Sequence, residues 1–61
     1  MTRYLVITVD KAWAERESGI VANVVAAQAK AAGVPAGADV EIVEGPAPVL
    51  LTYRFSWDDG E

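Results

Sequence analysis

The sequence predicts a small α+β domain with the element order β-α-β-β. Three observations indicate this: alternating apolar positions near both ends of the chain, helical spacing of apolar residues between them, and a proline-containing turn before the last apolar run. We expect one helix packed on a three-stranded sheet of strand order 1-3-2, similar to half of a ferredoxin-like fold. At 61 residues the chain is expected to be one domain, 1–61, with an acidic C-terminal tail, 58–61.

The first strand is predicted over 3–9, where nearly every residue is β-branched or aromatic. Its odd positions are all apolar from Leu5 onward, so they are expected to face the helix. Its even positions include Tyr4 and Val6, so the second face of this strand is also partly apolar. A strand that is apolar on both sides suggests that something covers the second face.

A helical pattern follows Asp10, whose carboxylate is expected to cap the helix. We favour a single helix over 11–32. In the alternative, 10–18 forms a loop or a short separate turn, and the helix begins near Gly19, because glycine inside a helix costs about 1 kcal/mol relative to alanine. Gly33 is expected to end the helix.

Two further strands complete the pattern. A weakly alternating strand is predicted over 39–44, and Pro46 and Pro48 in the following turn prevent a ladder from running through it. The last strand, 49–57, is the longest and most apolar, so it is placed in the centre of the sheet and antiparallel to both neighbours. The expected core comprises Leu5, Ile7, Val9, Val40, Ile42, Val49, Leu51, Tyr53 and Phe55 from the sheet and Ile20, Val21, Val24, Val25 and Gln28 from the helix.

The face of the sheet away from the helix is a candidate interface. Four of its residues are predicted to form an apolar patch: Tyr4, Val6, Val43 and Leu50. Exposed contiguous apolar surface on a small protein usually marks an interaction site. A domain of this length also has a small core of its own. We therefore expect a homodimer or higher homo-oligomer, formed by packing of sheet faces or by pairing of edge strands.

The composition argues against most catalytic chemistry. The chain has no Cys and no His, and neither Ser18 nor Ser56 lies in a nucleophile motif, so we expect no catalytic residues, no metal and no cofactor. A net charge of -4 with scattered basic residues argues against nucleic acid as a partner. No apolar run is long enough to cross a membrane, so no membrane association and a cytoplasmic location are expected. Abundant Ala, Val and Gly are typical of an actinobacterium or one of its phages.

Two tryptophans are the candidate anchors for a partner protein. Trp13 and Trp57, accompanied by Arg16 and Arg54, belong to the residue types that dominate interface hot spots. Both tryptophans are also compatible with the edge of the core, which is the more ordinary role for them. The sequence leaves that alternative open.

The element order, together with the segment 33–42, resembles the small tautomerases related to 4-oxalocrotonate tautomerase. That resemblance implies catalysis by an N-terminal proline, and Thr2 holds that position here. The order is also similar to that of dodecins, flavin-binding oligomers. Their flavin-stacking tryptophan at the start of the second strand is replaced here by Asp39 and Val40.

These observations favour a small non-enzymatic protein–protein interaction module. It would be an accessory factor, actinobacterial or phage-encoded, that binds a host protein. The alternative is a dodecin-like small-ligand binder or a tautomerase-like protein lacking the N-terminal proline.

Overall fold

The computed structural model describes residues 1–60 and contains three strands and two helices. The elements are β1 (Thr2–Asp10), α1 (Lys11–Arg16), α2 (Ser18–Ala31), β2 (Asp39–Glu44) and β3 (Leu50–Asp58). The strands form one antiparallel sheet in the order β1-β3-β2, which confirms the predicted α+β architecture and the central position of the last strand. Of the predicted tail 58–61, Asp58 belongs to β3 and Glu61 lies outside the described residues.

Along β3 from Leu51 to Ser56, the register places one residue from each strand in every row across the sheet. Ile7 of β1 and Ile42 of β2 both pair with Tyr53 of β3. In the next row, Phe55 has Leu5 on one side and Val40 on the other. Because side chains alternate along a strand, the odd positions of β3 and β1 share the face toward the helices with the even positions of β2.

The expectation of a single continuous helix is wrong. At Glu17 the backbone leaves the helical region, with φ -132° and ψ 53°, and this residue separates α1 from α2. Ser18 and Gly19 follow it directly, and both residue types propagate a helix poorly. The Glu17 carboxylate accepts a hydrogen bond from the Trp13 indole N–H at 2.8 Å, which fixes the break against α1. The alternative, a short separate segment followed by the main helix, is closer to the structure, although that segment is a six-residue helix and the main helix begins at Ser18.

The predicted helix cap at Asp10 and the predicted helix end at Gly33 are both confirmed. The Asp10 carboxylate accepts a hydrogen bond from the Ala12 N–H at 2.9 Å and caps α1. After α2, Gly33 adopts φ 99°, the left-handed region in which a side chain is strained. The N–H groups of Gly33 and Val34 donate to the carbonyls of Lys30 and Ala29, both at 3.0 Å, and satisfy the last helical turn.

The core lies between the helices and the β1–β3 half of the sheet. Its buried residues are Ala14, Val21, Val25, Ala29, Tyr53 and Phe55. Partly buried residues packed against them are Leu5, Ile7, Val9, Trp13, Val34, Leu51 and Trp57. All three β1 residues predicted to face inward contact this core, whereas no residue of β2 belongs to it.

Six residues expected in the core are exposed: Val40, Ile42, Val49, Ile20, Val24 and Gln28. Helix α2 buries every fourth residue, Val21, Val25 and Ala29, a narrower stripe than the sequence suggested. An α-helix is about 10 Å wide, whereas three strands spaced about 4.8 Å apart span roughly 14 Å. One helix is therefore too narrow to cover all three strands, and α2 lies over β1 and β3 while β2 stays exposed. Val49 precedes β3 and lies in the turn.

Ion pairs join the two ends of the chain. The Met1 ammonium lies 3.2 Å from an Asp58 carboxylate oxygen, and the Arg3 guanidinium donates to the carboxylate of Asp59. The N–H of Gly60 and the Met1 ammonium both donate to Asp58 and hold the pKa of that carboxyl below its usual range. These contacts fasten the residues after β3 to the start of β1.

Candidate functional site

The helix-facing side of β2 is an apolar surface that no helix covers. Val40 and Ile42 point to the same side as the buried Phe55 and Tyr53 beside them, yet they are 53% and 56% exposed. Every residue of β2 is exposed. We call this surface, together with the groove beside it, the β2 margin.

The groove in the β2 margin runs between the C-terminal half of α2 and the start of β2. Its volume is about 450 Å³, within the range of small-molecule sites. The lining is apolar apart from one lysine and comprises Ala26, Ala29, Lys30, Val34, Pro35, Ala36, Ala38, Val40 and Phe55. Several of these lining residues are alanines with short side chains, and the otherwise buried Phe55 is among them. The groove can accept an apolar group and offers it one ammonium.

Backbone groups of β2 add hydrogen-bonding capacity along the same margin. The N–H of Gly45 donates to the carbonyl of Leu50 at 3.0 Å, which makes these two residues a hydrogen-bonded pair. Bonded and non-bonded pairs alternate along an antiparallel ladder, so alternate residues back along β2 bond to β3. The N–H and C=O groups of Val40 and Ile42 therefore point outward from the free edge of β2, in the plane of the sheet. A partner strand would meet unpaired backbone groups and exposed apolar side chains at the same two residues.

Strand β2 is rich in carboxylates. Of the six residues of β2, three are acidic: Asp39, Glu41 and Glu44. Glu41 forms an ion pair with Arg54 at 2.6 Å, and Glu44 accepts a hydrogen bond from the Lys11 ammonium at 2.9 Å. The hydrogen bond and charge of Glu44 raise the pKa of Lys11, and Lys11 lowers the pKa of Glu44. The Lys11–Glu44 pair joins the start of α1 to the end of β2.

On the opposite face of the sheet, polar groups interrupt the predicted apolar patch. Arg54 lies near its centre, with its guanidinium 5.6 Å from the Tyr4 ring centroid and paired with Glu41. In the adjacent row, the hydroxyls of Thr8 and Thr52 lie 3.0 Å apart. These groups separate the four predicted interface residues into two pairs, Tyr4 with Val6 on β1 and Val43 with Leu50 at the other end of the sheet.

The structure does not bring the four predicted partner-binding residues together. Trp13 on α1 and Trp57 on β3 are both half-buried against the core. Arg54 lies on the face of β3 opposite to Trp57, because the two are three positions apart along the strand. Arg16 ends α1 and is exposed. Partner binding by these residues stays a prediction for each of them separately.

Sequence reasoning missed Lys30, Val34, Pro35 and Ala36 as lining residues of a groove. Lys30 belongs to the predicted helix without being one of its expected core residues, and 34–38 lies between the predicted helix and the second strand, where no periodic pattern points to a site. The available signal was the frequency of alanine on α2, because short side chains leave space beside a helix. Where that space lies over the sheet depends on the position of α2, and periodicity does not specify that position.

Within residues 1–60, no group of three or more His, Cys, Asp and Glu side chains is arranged to hold a metal ion. Across the same residues, neither helix has the length and apolar character needed to traverse a bilayer. Thr2, at the position of the tautomerase proline, begins β1 and is exposed. No protein-family model, curated protein or solved structure matches this chain.

Proposed function

We propose that this protein is a non-enzymatic interaction module whose β2 margin binds an extended segment of a partner protein. The segment adds to the sheet as a fourth strand beside β2. Its alternate side chains enter the groove and cover Val40 and Ile42. In keeping with the composition, we place that partner among the cytoplasmic proteins of an actinobacterial host.

The observation that carries this proposal is the coincidence of three features at one edge. Val40 and Ile42 expose apolar side chains on the side of the sheet where the other strands are covered. The groove beside them opens down to Phe55. The same two residues present the outward-pointing backbone groups. Strand addition uses these features together, since the main chain supplies affinity and pockets for alternate side chains supply specificity.

Charge indicates the composition of the partner segment. Asp39 and Glu41, at odd positions of β2, lie on the face of the strand opposite to Val40 and Ile42, and the chain as a whole is acidic. A segment with Lys or Arg at the positions facing these carboxylates would be attracted on approach and held in register. We therefore expect apolar residues at alternate positions with basic residues between them.

Selection from a library of displayed random peptides tests the proposal, with the full chain as bait. Peptides that match this pattern should be enriched, and their binding should shift the NMR signals of Val40, Ile42 and Val34. Val40→Lys should weaken binding of the selected peptides by at least about tenfold, because it places a charge at the groove. Val43→Lys is the matched control, since Val43 is an exposed valine of the same strand on the opposite face.

Two outcomes would contradict the proposal. One is the absence of any enriched peptide family. The other is a set of peptides that bind Val40→Lys as well as they bind the unaltered chain. Circular dichroism of both variants checks that the fold is retained, and Ile42→Lys replaces Val40→Lys if that variant is unfolded.

A small amphipathic ligand is the second candidate, and Lys30 is the observation that favours it. The lining of the groove is apolar except for this ammonium, which suits a flat apolar molecule with an anionic group. Flavin mononucleotide and a fluorescent fatty acid are suitable probes. Binding that is lost in Lys30→Glu but kept in Lys11→Glu would support this candidate. Peptide binding without probe binding would favour the first.

A further inference from the structure

The free edge of β1 differs from that of β2 in length and charge. The N–H of Lys11 donates to the carbonyl of Val49, and the N–H of Asp59 donates to the carbonyl of Met1. Odd-numbered residues of β1 therefore bond to β3, and the backbone groups of even-numbered residues point outward. These outward residues are Thr2, Tyr4, Val6 and Thr8, all of them uncharged, before Asp10. Tyr4 and Val6 are 61% and 57% exposed.

We infer that this edge binds a second copy of the chain, so that two β1 strands pair antiparallel about a two-fold axis and form one six-stranded sheet. The axis passes beside Leu5. Thr2 then pairs with Thr8 of the second copy, and Tyr4 pairs with Val6. Four such pairs with two hydrogen bonds each would give about eight hydrogen bonds, and every outward group from Thr2 to Thr8 would be used.

The side chains in this register are complementary. On the face away from the helices, each Tyr4 ring lies beside a Val6 of the other copy, and each Thr2 lies beside a Thr8. Aromatic–β-branched and Thr–Thr neighbours are favourable cross-strand pairs. No like charges meet directly across the axis. Shifting the register by two residues in one direction brings in Asp10, and in the other direction it leaves Thr8 unpaired.

Helix α2 exposes an apolar flank on the same side of the molecule. Ala26 and Lys30 line the groove with Val40, so that flank of the helix faces β2. Ile20 and Val24 lie on the other side of the buried row, and therefore toward β1. Ile20 is 55% exposed. The two-fold axis places both α2 helices on the same side of the sheet, where these flanks would face each other.

A second copy fits this surface better than an unrelated strand does. The two-fold axis pairs an uncharged edge with an identical uncharged edge, and the same operation brings two apolar helix flanks together. Of the nine large hydrophobic residues that are exposed among residues 1–60, Tyr4, Val6, Ile20 and Val24 lie on this one side. A typical interface buries about 800 Å² per partner, roughly a fifth of the 4231 Å² that the chain exposes. Burial on that scale would supplement a core of six buried residues.

Sedimentation equilibrium of the full chain tests the oligomeric state. The 6.5 kDa chain should sediment as a dimer of 2 × 6.5 = 13.0 kDa at tens of micromolar. Val6→Lys should raise the dissociation constant by at least about thirtyfold, because a lysine on an edge strand blocks pairing. Val43→Lys, on the same face of the other edge strand, should leave the dimer intact. Ile20→Glu provides a second disrupting variant should Val6→Lys fail to fold.

Amide hydrogen exchange locates the contact independently. In the dimer the N–H groups of Tyr4 and Val6 should be protected, with protection that decreases on dilution. The N–H groups of Val40 and Ile42 should exchange rapidly at every concentration. A monomeric mass at the highest concentration, or protection at Val40 and Ile42 in place of Tyr4 and Val6, would overturn the inference. A monomeric mass would leave the proposal for the β2 margin standing, and a failure to select peptides would leave the dimer standing, so the two proposals fail separately.

Discussion

Ile7 and Ile42 occupy equivalent places in the sheet but have different environments. They flank Tyr53 in the same row, on opposite edge strands, and point to the same face. Ile7 is partly buried and packs against the core, whereas Ile42 is more than half exposed. Neither propensity nor alternation distinguishes the two. The position of α2, toward β1 and away from β2, accounts for the difference.

The comparison shows that a single helix layer leaves the two edge strands with different roles. We call β1 and its contacts with the core the covered side, and the exposed β2 margin the open side. Leu5, Ile7 and Val9 of β1 contribute to the core. Val40 and Ile42 contribute little to it and remain exposed for contact with a partner. Substitutions along these two strands should therefore separate stability from binding.

Truncating Phe55, which belongs to both the core and the groove, should have the largest effect on the free energy of unfolding. Phe55 is buried in the core and also lines the groove. Phe55→Ala is expected to cost about 3–5 kcal/mol, against a total stability of roughly 3–9 kcal/mol for a domain of this length. Chemical denaturation followed by circular dichroism should show a largely unfolded chain. Phe55→Leu is the control, expected to cost less than about 1.5 kcal/mol; equal behaviour of the two would contradict the assigned core.

The matched isoleucines test the comparison directly. Ile7→Ala should cost about 2–4 kcal/mol, because it leaves a cavity beneath α2. Ile42→Ala should cost less than about 1 kcal/mol, since the side chain is largely in water already. Urea unfolding midpoints of the two variants measure the difference. Similar losses would mean that β2 is covered in solution.

A substitution that stabilises α2 should raise the stability of the fold, because α2 covers the core. Gly19 lies in the first turn of this helix, is exposed, and has no atom within 4 Å of an added Cβ. Gly19→Ala is expected to stabilise the fold by about 0.5–1 kcal/mol, because alanine loses less backbone entropy in a helix. A rise in thermal midpoint would show this. Gly33→Ala, at φ 99°, should lower the midpoint instead.

The smallest effect concerns the ion pair between Lys11 and Glu44, which joins the two sides. Since the pKa of Glu44 is lowered in the fold, its stabilising contribution is present above its unfolded pKa and is lost as the pH falls through its folded value. The pKa of Lys11 is raised, so its contribution is present below its unfolded pKa and disappears as the pH rises through its folded value. Glu44→Gln should therefore be slightly less stable than the unaltered chain at neutral pH and equally stable in strong acid. A stability difference that persists in acid would contradict the assignment.

The predictable part of the structure followed from local pattern. Alternation in β1 and β3, the carboxylate of Asp10 and the conformational freedom of Gly33 are properties of short segments, and all appear where expected. The helix break at Glu17 was detectable only as an alternative, because helical spacing continues across Ser18 and Gly19. The β2 margin was not predicted at all. Val40 and Ile42 were predicted to be core residues, and in the structure they form the exposed apolar surface of the β2 margin.

The sequence alone determined the element types, the strand order and the absence of histidine and cysteine chemistry, since each depends on residue identity, spacing and polarity along the chain. Only the tertiary structure decided which apolar residues are covered. Burial depends on where one narrow helix lies over a wider sheet, and that placement is set by packing against β1 and β3, which are distant from the helix in sequence. For this reason Ile7 lies against the core, whereas Ile42 is left at the open edge.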